Sequence, residues 1–125
     1  MKTIREVLSD GTSLLKKSVS TSDTPFLDAM ILLAFILKIS KEELLASYPD
    51  KITKSDETLF MDILQKRLSN YPVSYLINRK EFFGLGFYVD ENVLVPRPDS
   101  ETLVETAIDI IKTTPGINSI LDLCT

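Results

Sequence analysis

The side chains best placed to do chemistry lie in the last third of the chain. Arg97 stands between two prolines in Val95-Pro96-Arg97-Pro98-Asp99-Ser100-Glu101. Each proline fixes its own φ and pushes the preceding residue into extended geometry, so residues 95–98 read as a stiff rod that aims the guanidinium. A cation held this way suits the mouth of a pocket and, equally, a salt bridge bracing its neighbours. Asp99 and Glu101 fall in the first turn of a following helix, where the helix dipole stabilises a carboxylate by about 0.3–1 kcal/mol. That capping role competes with any role at a site. The chain ends in Ser119-Ile120-Leu121-Asp122-Leu123-Cys124-Thr125, a hydrophobic strand pattern running into small residues. Nucleotide-type cofactors bind beyond the carboxyl ends of such strands in open α/β sheets, where the backbone can come close. Alone this pattern does not decide the matter, because an unremarkable buried strand ending in a turn shows it too.

Composition removes several chemistries. There is no histidine and one cysteine, Cys124, so the chain holds no Ser–His or Cys–His triad, no thiolate metal site and no internal disulfide. With 44% hydrophobic and 26% charged residues it is globular in composition. A net charge of −4 argues against general nucleic-acid affinity. The charge is uneven: residues 51–80 carry six basic and three acidic side chains, residues 81–125 two basic and eight acidic. The longest apolar run, residues 29–37, is half of the roughly 20 residues that span a bilayer. The N-terminus, MKTIREVLSD, lacks the apolar core of a signal peptide, so the cytoplasm is the expected location.

The elements that must position these residues begin with helices. Ile4, Val7, Leu8, Leu14 and Leu15 recur at helical spacing, with Gly11 a weak spot about 1 kcal/mol worse than alanine. Residues 18–24 are a polar break. Pro25 suits the first turn of a second helix that runs to about Lys38. That helix is apolar nearly all round and should be the central, most buried element. Ser40 and Glu43 form a capping box that opens a short helix through Ala46. Ser55-Asp56-Glu57 starts a fourth, with Leu59, Phe60, Ile63, Leu64 and Leu68 on one face.

From Pro72 the pattern changes. Residues 73–77 could make one helical turn, and Phe83, Leu85, Phe87 and Val89 then alternate as strand residues do. Gly84 and Gly86 place a hairpin turn or bulge around Leu85. Tyr75, Phe82, Phe83, Phe87 and Tyr88 read as packing between hairpin and bundle rather than as a substrate surface. A fifth helix carries Leu103, Val104, Ala107, Ile108 and Ile111 on one face. Pro115-Gly116 breaks it, and residues 117–123 read as a strand buried on both faces, as in parallel sheets.

Two motifs in series resemble the hallmark of the HemK/PrmC family. These are S-adenosylmethionine-dependent protein-(glutamine-N5) methyltransferases that modify peptide chain release factors. The first is Pro72-Val73-Ser74-Tyr75-Leu76-Ile77-Asn78-Arg79-Lys80-Glu81-Phe82 followed by Val95-Pro96-Arg97-Pro98-Asp99-Ser100-Glu101; the second is Ile120-Leu121-Asp122-Leu123-Cys124-Thr125, similar to the start of the family's first cofactor motif. Asn78 stands where the family usually has glycine; at positive φ, asparagine is the least costly replacement. The family's downstream glycines, its acidic ribose-binding residue and its Asn-Pro-Pro-Tyr motif are absent from these residues.

The resemblance implies a mainly α chain in three parts: a helical bundle for substrate recognition at 1–71, a β-hairpin connector at 72–98, and at 99–125 the first helix and strand of a truncated Rossmann-like α/β methyltransferase domain. It implies an enzyme that transfers methyl from S-adenosyl-L-methionine to a glutamine nitrogen by in-line attack, for which positioning alone can supply about 7–11 kcal/mol. It places Asp122, Cys124 and Thr125 at the cofactor, Arg97, Pro98 and Glu101 at the active-site mouth, and no catalytic residue or metal ligand in these 125 residues. The expectations that follow are an inactive fragment, no tight cofactor binding, class-1 release factors as partners, and neither membrane nor nucleic acid. A homodimer formed through the unpaired strand at 117–123 is a further expectation. Two other functions stay open: a non-enzymatic helical interaction module, and, less in keeping with the acidic balance, an adenine-N6 DNA methyltransferase.

Overall fold

The computed structural model describes residues 1–17 and 23–123. Most of the polar break (residues 18–22), together with Cys124 and Thr125, lies outside the described residues. Among the described residues six helices and one hairpin appear in the order α1 (Ile4–Lys16), α2 (Pro25–Leu37), α3 (Lys41–Ala46), α4 (Lys54–Leu68), α5 (Val73–Ile77), β1 (Lys80–Phe82), β2 (Leu85–Phe87) and α6 (Pro98–Thr113).

Local chemistry explains where the first helices begin. Thr3 and Glu6 close a capping box on α1, the Thr3 N–H donating to Glu6 Oε2 at 2.8 Å and the Glu6 N–H to Thr3 Oγ1 at 3.3 Å. Ser40 and Glu43 do the same for α3, at 2.9 and 3.1 Å. Helix α4 starts at Lys54, just ahead of the expected Ser55, because Thr53 rather than a later residue accepts the Asp56 N–H at 3.1 Å. The segment before α1 is clamped to the α3–α4 loop: the Ile4 N–H donates to the Asp50 carbonyl at 2.8 Å and the Ile52 N–H to the Lys2 carbonyl at 3.0 Å.

Helix α2 is central, touching α1, α3, α4 and α5. Ala29, Leu32 and Leu33 are fully buried in a core shared with Leu15, Leu44, Phe60 and Leu64. It is not buried all round, however: Phe26, Leu27 and Phe35 remain 45%, 39% and 47% exposed. On α4 the expected apolar face is likewise divided, with Phe60 and Leu64 buried and Leu59 53% exposed. Gly11 proves to be a close-approach point rather than a weak spot. A Cβ there would lie 2.8 Å from the Phe60 ring and 3.1 Å from Leu64, so α1 and α4 can pack only because that atom is missing.

Inside α2 sits one acid. Asp28 is 8% exposed, and the Arg67 Nε donates to its Oδ2 at 3.3 Å, joining residues 39 apart in sequence. The Arg67 Nη1 also donates to the Tyr71 carbonyl at 3.3 Å. Both side chains of the pair are nearly buried, and the Thr24 hydroxyl also donates to Asp28 Oδ1 at 3.4 Å, so the ions compensate each other in a polar cluster at the edge of the core.

Helix α5 packs on α2 and α4, with Val73, Leu76 and Ile77 half-buried against the core. It ends on Asn78 in the left-handed region (φ 55), the geometry that its replacement of glycine required. In the hairpin, Lys80 pairs with Phe87, Glu81 with Gly86 and Phe82 with Leu85. The turn is therefore Phe83-Gly84, both at positive φ (52 and 74), and not a feature centred on Leu85. Gly86 lies in the strand, where a Cβ would meet the Arg79 guanidinium at 2.9 Å.

Residues 117–123 correct an expectation: they form no strand, and every one is exposed. A strand is stabilised by hydrogen bonds to a neighbour, and the only strands among the described residues, β1 and β2, pair with each other. Helix α6 has no fully buried residue; Glu101, Val104 and Ile108 form its half-buried line, while Leu103, Ile110 and Ile111 are exposed. Among the described residues no helix is long and apolar enough to cross a membrane.

Candidate functional site

The residues singled out in sequence fall on the junction between hairpin and α6. Arg97 is the N-cap of α6 with extended backbone (φ −105, ψ 148), and Pro98 opens the helix, where its missing N–H is no loss. Both are exposed. Among the described residues the Arg97 guanidinium makes no hydrogen bond or ion pair, so it is held by the prolines alone. Glu101 is different. Its Oε1 accepts the Phe83 N–H at 2.8 Å, tying the first turn of α6 to the tip of the hairpin. That bond compensates a non-glycine residue forced to φ 52.

A second set of bonds fastens the hairpin to the bundle. Asn78 is bound twice to Val89, its carbonyl accepting the Val89 N–H at 3.4 Å and its Nδ2 donating to the Val89 carbonyl at 3.1 Å. Val89 is 1% exposed at this joint. Beside it the Tyr75 hydroxyl donates to the Val93 carbonyl, and the Tyr71 hydroxyl donates to Glu91 Oε2 at 3.2 Å. The two tyrosine rings meet edge to face at 5.8 Å. Desolvation first, then the hydrogen bond and charge of Glu91, push the Tyr71 phenol above its ordinary range. These tyrosines, with Lys66, Leu76, Tyr88 and Asp90, line a cavity of about 630 Å³. Sequence reasoning missed this joint. Its signal was Asn78, whose side-chain amide can bridge a backbone that glycine cannot.

Of the residues expected at a cofactor, Asp122 is described and is not drawn into this junction, while Cys124 and Thr125 lie outside the described residues. Asp122 lies on the exposed segment that follows α6, with no hydrogen bond or ion pair to Arg97 or Glu101 among the described residues. An exposed extended segment supplies one carboxylate and no enclosing wall. The described residues therefore do not fit a nucleotide-type cofactor, and no cofactor-dependent step is derived from them. No group of acidic or cysteine side chains among the described residues could hold a metal ion.

A helical bundle fastened to a β-hairpin, with a helix tethered to the hairpin tip, is the frame that holds these residues. Residues 6–77 match the model of the PrmC N-terminal domain family, and the chain belongs to that family. It is 42% identical over 120 residues to the release factor glutamine methyltransferase of Aliivibrio fischeri, covering 90% of this chain and 41% of that protein. It is 35% identical over 118 residues to the protein of the same name from Leptospira interrogans, again 90% and 41%. To that of Clostridium acetobutylicum it is 32% identical over 123 residues, 98% of this chain and 42% of the relative. The chain thus spans about two fifths of the length of the curated relatives it matches.

Proposed function

We propose that this chain is the substrate-docking and positioning region of an S-adenosylmethionine-dependent methyltransferase that modifies a glutamine side chain of peptide chain release factors. The observation that carries the proposal is the match across 90% of the chain to proteins named release factor glutamine methyltransferase. On this reading residues 1–71 form the recognition bundle, 72–98 the connector and 99–125 the opening of the catalytic domain. Arg97, Pro98 and Glu101 border the active-site mouth, and Asp122, Cys124 and Thr125 belong to the cofactor loop. The 125 residues alone are inactive, the cytoplasm is their location, and the release factor rather than nucleic acid is their partner.

Support for a positioning role comes from the hairpin. Bonds at Asn78, Tyr75 and Tyr71 fix it to the bundle, and Glu101 fixes its tip to α6. A partner held by the bundle would therefore be held at a set distance from Arg97. The test is isothermal titration of the 125-residue chain with a purified class-1 release factor in moderate salt. Saturable binding in the micromolar range is expected; absence of binding would assign recognition elsewhere and leave the bundle an orienting appendage.

A further inference from the structure

We propose that the groove between α2 and α4 receives an amphipathic, acid-flanked helix of the partner protein. The proposal rests on the docking reading above and says where, and by what chemistry, that docking occurs.

Apart from Asp28 in its first turn, helix α2 is apolar nearly all round, which is the pattern of a helix covered on all sides. Its neighbours leave one side open. There a cavity of about 690 Å³ runs between the C-terminal half of α2 and the middle of α4, with Ala34, Phe35, Ile36, Ile39, Leu59 and Ile63 as its apolar lining. Phe35 (47% exposed) and Leu59 (53%) present large side chains from opposite helices. An open apolar channel between two helices is the receiving half of helix-in-groove recognition, in which the guest inserts side chains at i, i+3, i+4 and i+7.

The charged groups at the groove are Lys38, Lys66 and Asp62. Lys38 is held at the left-handed end of α2 (φ 58), and Lys66 is in the last turn of α4. Neither ammonium forms an ion pair among the described residues. The groove is thus locally positive on a chain of net charge −4, and a guest with carboxylates flanking its apolar stripe is the complementary one. One net positive charge around an apolar floor does not suit a nucleic-acid backbone. Lys66 also lines the separate cavity beside Tyr71, Tyr75 and Tyr88, so it stands between the groove and the hairpin joint.

The test uses the 125-residue chain and a class-1 release factor by titration calorimetry, with circular dichroism to verify folding. Joint substitution Phe35→Ser and Leu59→Ser is expected to weaken binding by about tenfold or more, as loss of central apolar anchors does. Joint charge reversal Lys38→Glu and Lys66→Glu leaves the apolar floor intact; it should weaken binding by a similar factor and reverse its salt dependence, so that added salt strengthens the residual binding. Should the serine pair fail to fold, the lysine pair decides. Leu94→Ser, on the exposed loop after the hairpin, should bind like the unaltered chain. Binding by the unaltered chain that neither pair changes would overturn the groove and leave release-factor docking standing. No binding by the unaltered chain would overturn both. Self-association that the serine pair abolishes would show that a second copy fills the groove, and would overturn the proposal in that way.

Discussion

Gly11→Ala is the substitution whose sign separates two accounts of α1. Considered as an isolated helix, α1 should gain about 1 kcal/mol from alanine, which loses less backbone entropy than glycine. Considered as packed, it should lose. The new Cβ would stand 2.8 Å from Cε2 and Cζ of Phe60 and 3.1 Å from Cδ1 of Leu64, whereas carbon atoms rest at about 3.5–4.0 Å. Phe60 and Leu64 are both fully buried, so neither can turn aside into solvent. Helices α1 and α4 must separate or the ring must leave its rotamer, and such overpacking costs about 1–3 kcal/mol. Offset by the propensity gain, the net loss is centred near 1 kcal/mol. In a small domain that is a fall in melting temperature of roughly 4–8 °C. Thermal and urea unfolding followed by circular dichroism measure it. In a Phe60→Leu background the penalty should shrink, because the ring atoms that clash are gone. A Gly11→Ala chain more stable than the parent by the full propensity gain would refute the close-packing account.

Arg67→Met leaves the Asp28 carboxylate without its partner in a nearly buried position, and should cost about 3 kcal/mol in urea unfolding; Asp28→Asn with Arg67→Met should recover part of it. Asn78→Ala removes the side-chain bond to Val89 from a left-handed residue and should destabilise by about 1–2 kcal/mol, with faster amide exchange at Val89 as the local reading. Asn78→Gly keeps the backbone geometry and should lose less. The Tyr71 phenol has a folded-state pKa above its ordinary value of 10.0. Its contribution to stability is therefore fully present below pH 10.0 and is lost as the pH rises through the folded-state value. The alkaline fall in stability should be shallower in Tyr71→Phe, and the phenolate difference spectrum between the two chains should titrate above 10.0.

Much of the bundle was legible because its information is local. Apolar spacing marks α1 and α2, Ser40 with Glu43 marks the start of α3, and the residue at position 78 announces a left-handed backbone. What escaped depends on partners distant in the chain. The Asp28–Arg67 pair spans 39 residues, and its only local sign is one acid in an otherwise apolar helix. Gly11 reads as a helix weakness until Phe60 is seen against it. Phe83 reads as a strand residue by alternation, yet takes the turn because its N–H is claimed by Glu101. The strand expected at residues 117–123 shows the opposite failure. Its composition suits a sheet interior, but composition supplies no neighbour to pair with. For the site, proline geometry around Arg97 was readable, while the tether at Glu101 was not, since a carboxylate in a first turn looks the same whether it serves its own helix or a hairpin tip.

The Glu101–Phe83 contact can also be viewed as ring closure in a polymer. It joins residues 18 apart across a span with no helix or strand between 88 and 97. The entropy of closing such a ring grows only logarithmically with its length, by about 0.6 kcal/mol per doubling. Extra residues after Leu94, which is 78% exposed, should therefore cost little. Changing Glu101 removes the closure itself and frees the hairpin tip from α6, while Asn78, Tyr71 and Tyr75 still hold residues 89–93. Lengthening that segment should thus cost this chain less stability than replacing the acid that shuts it.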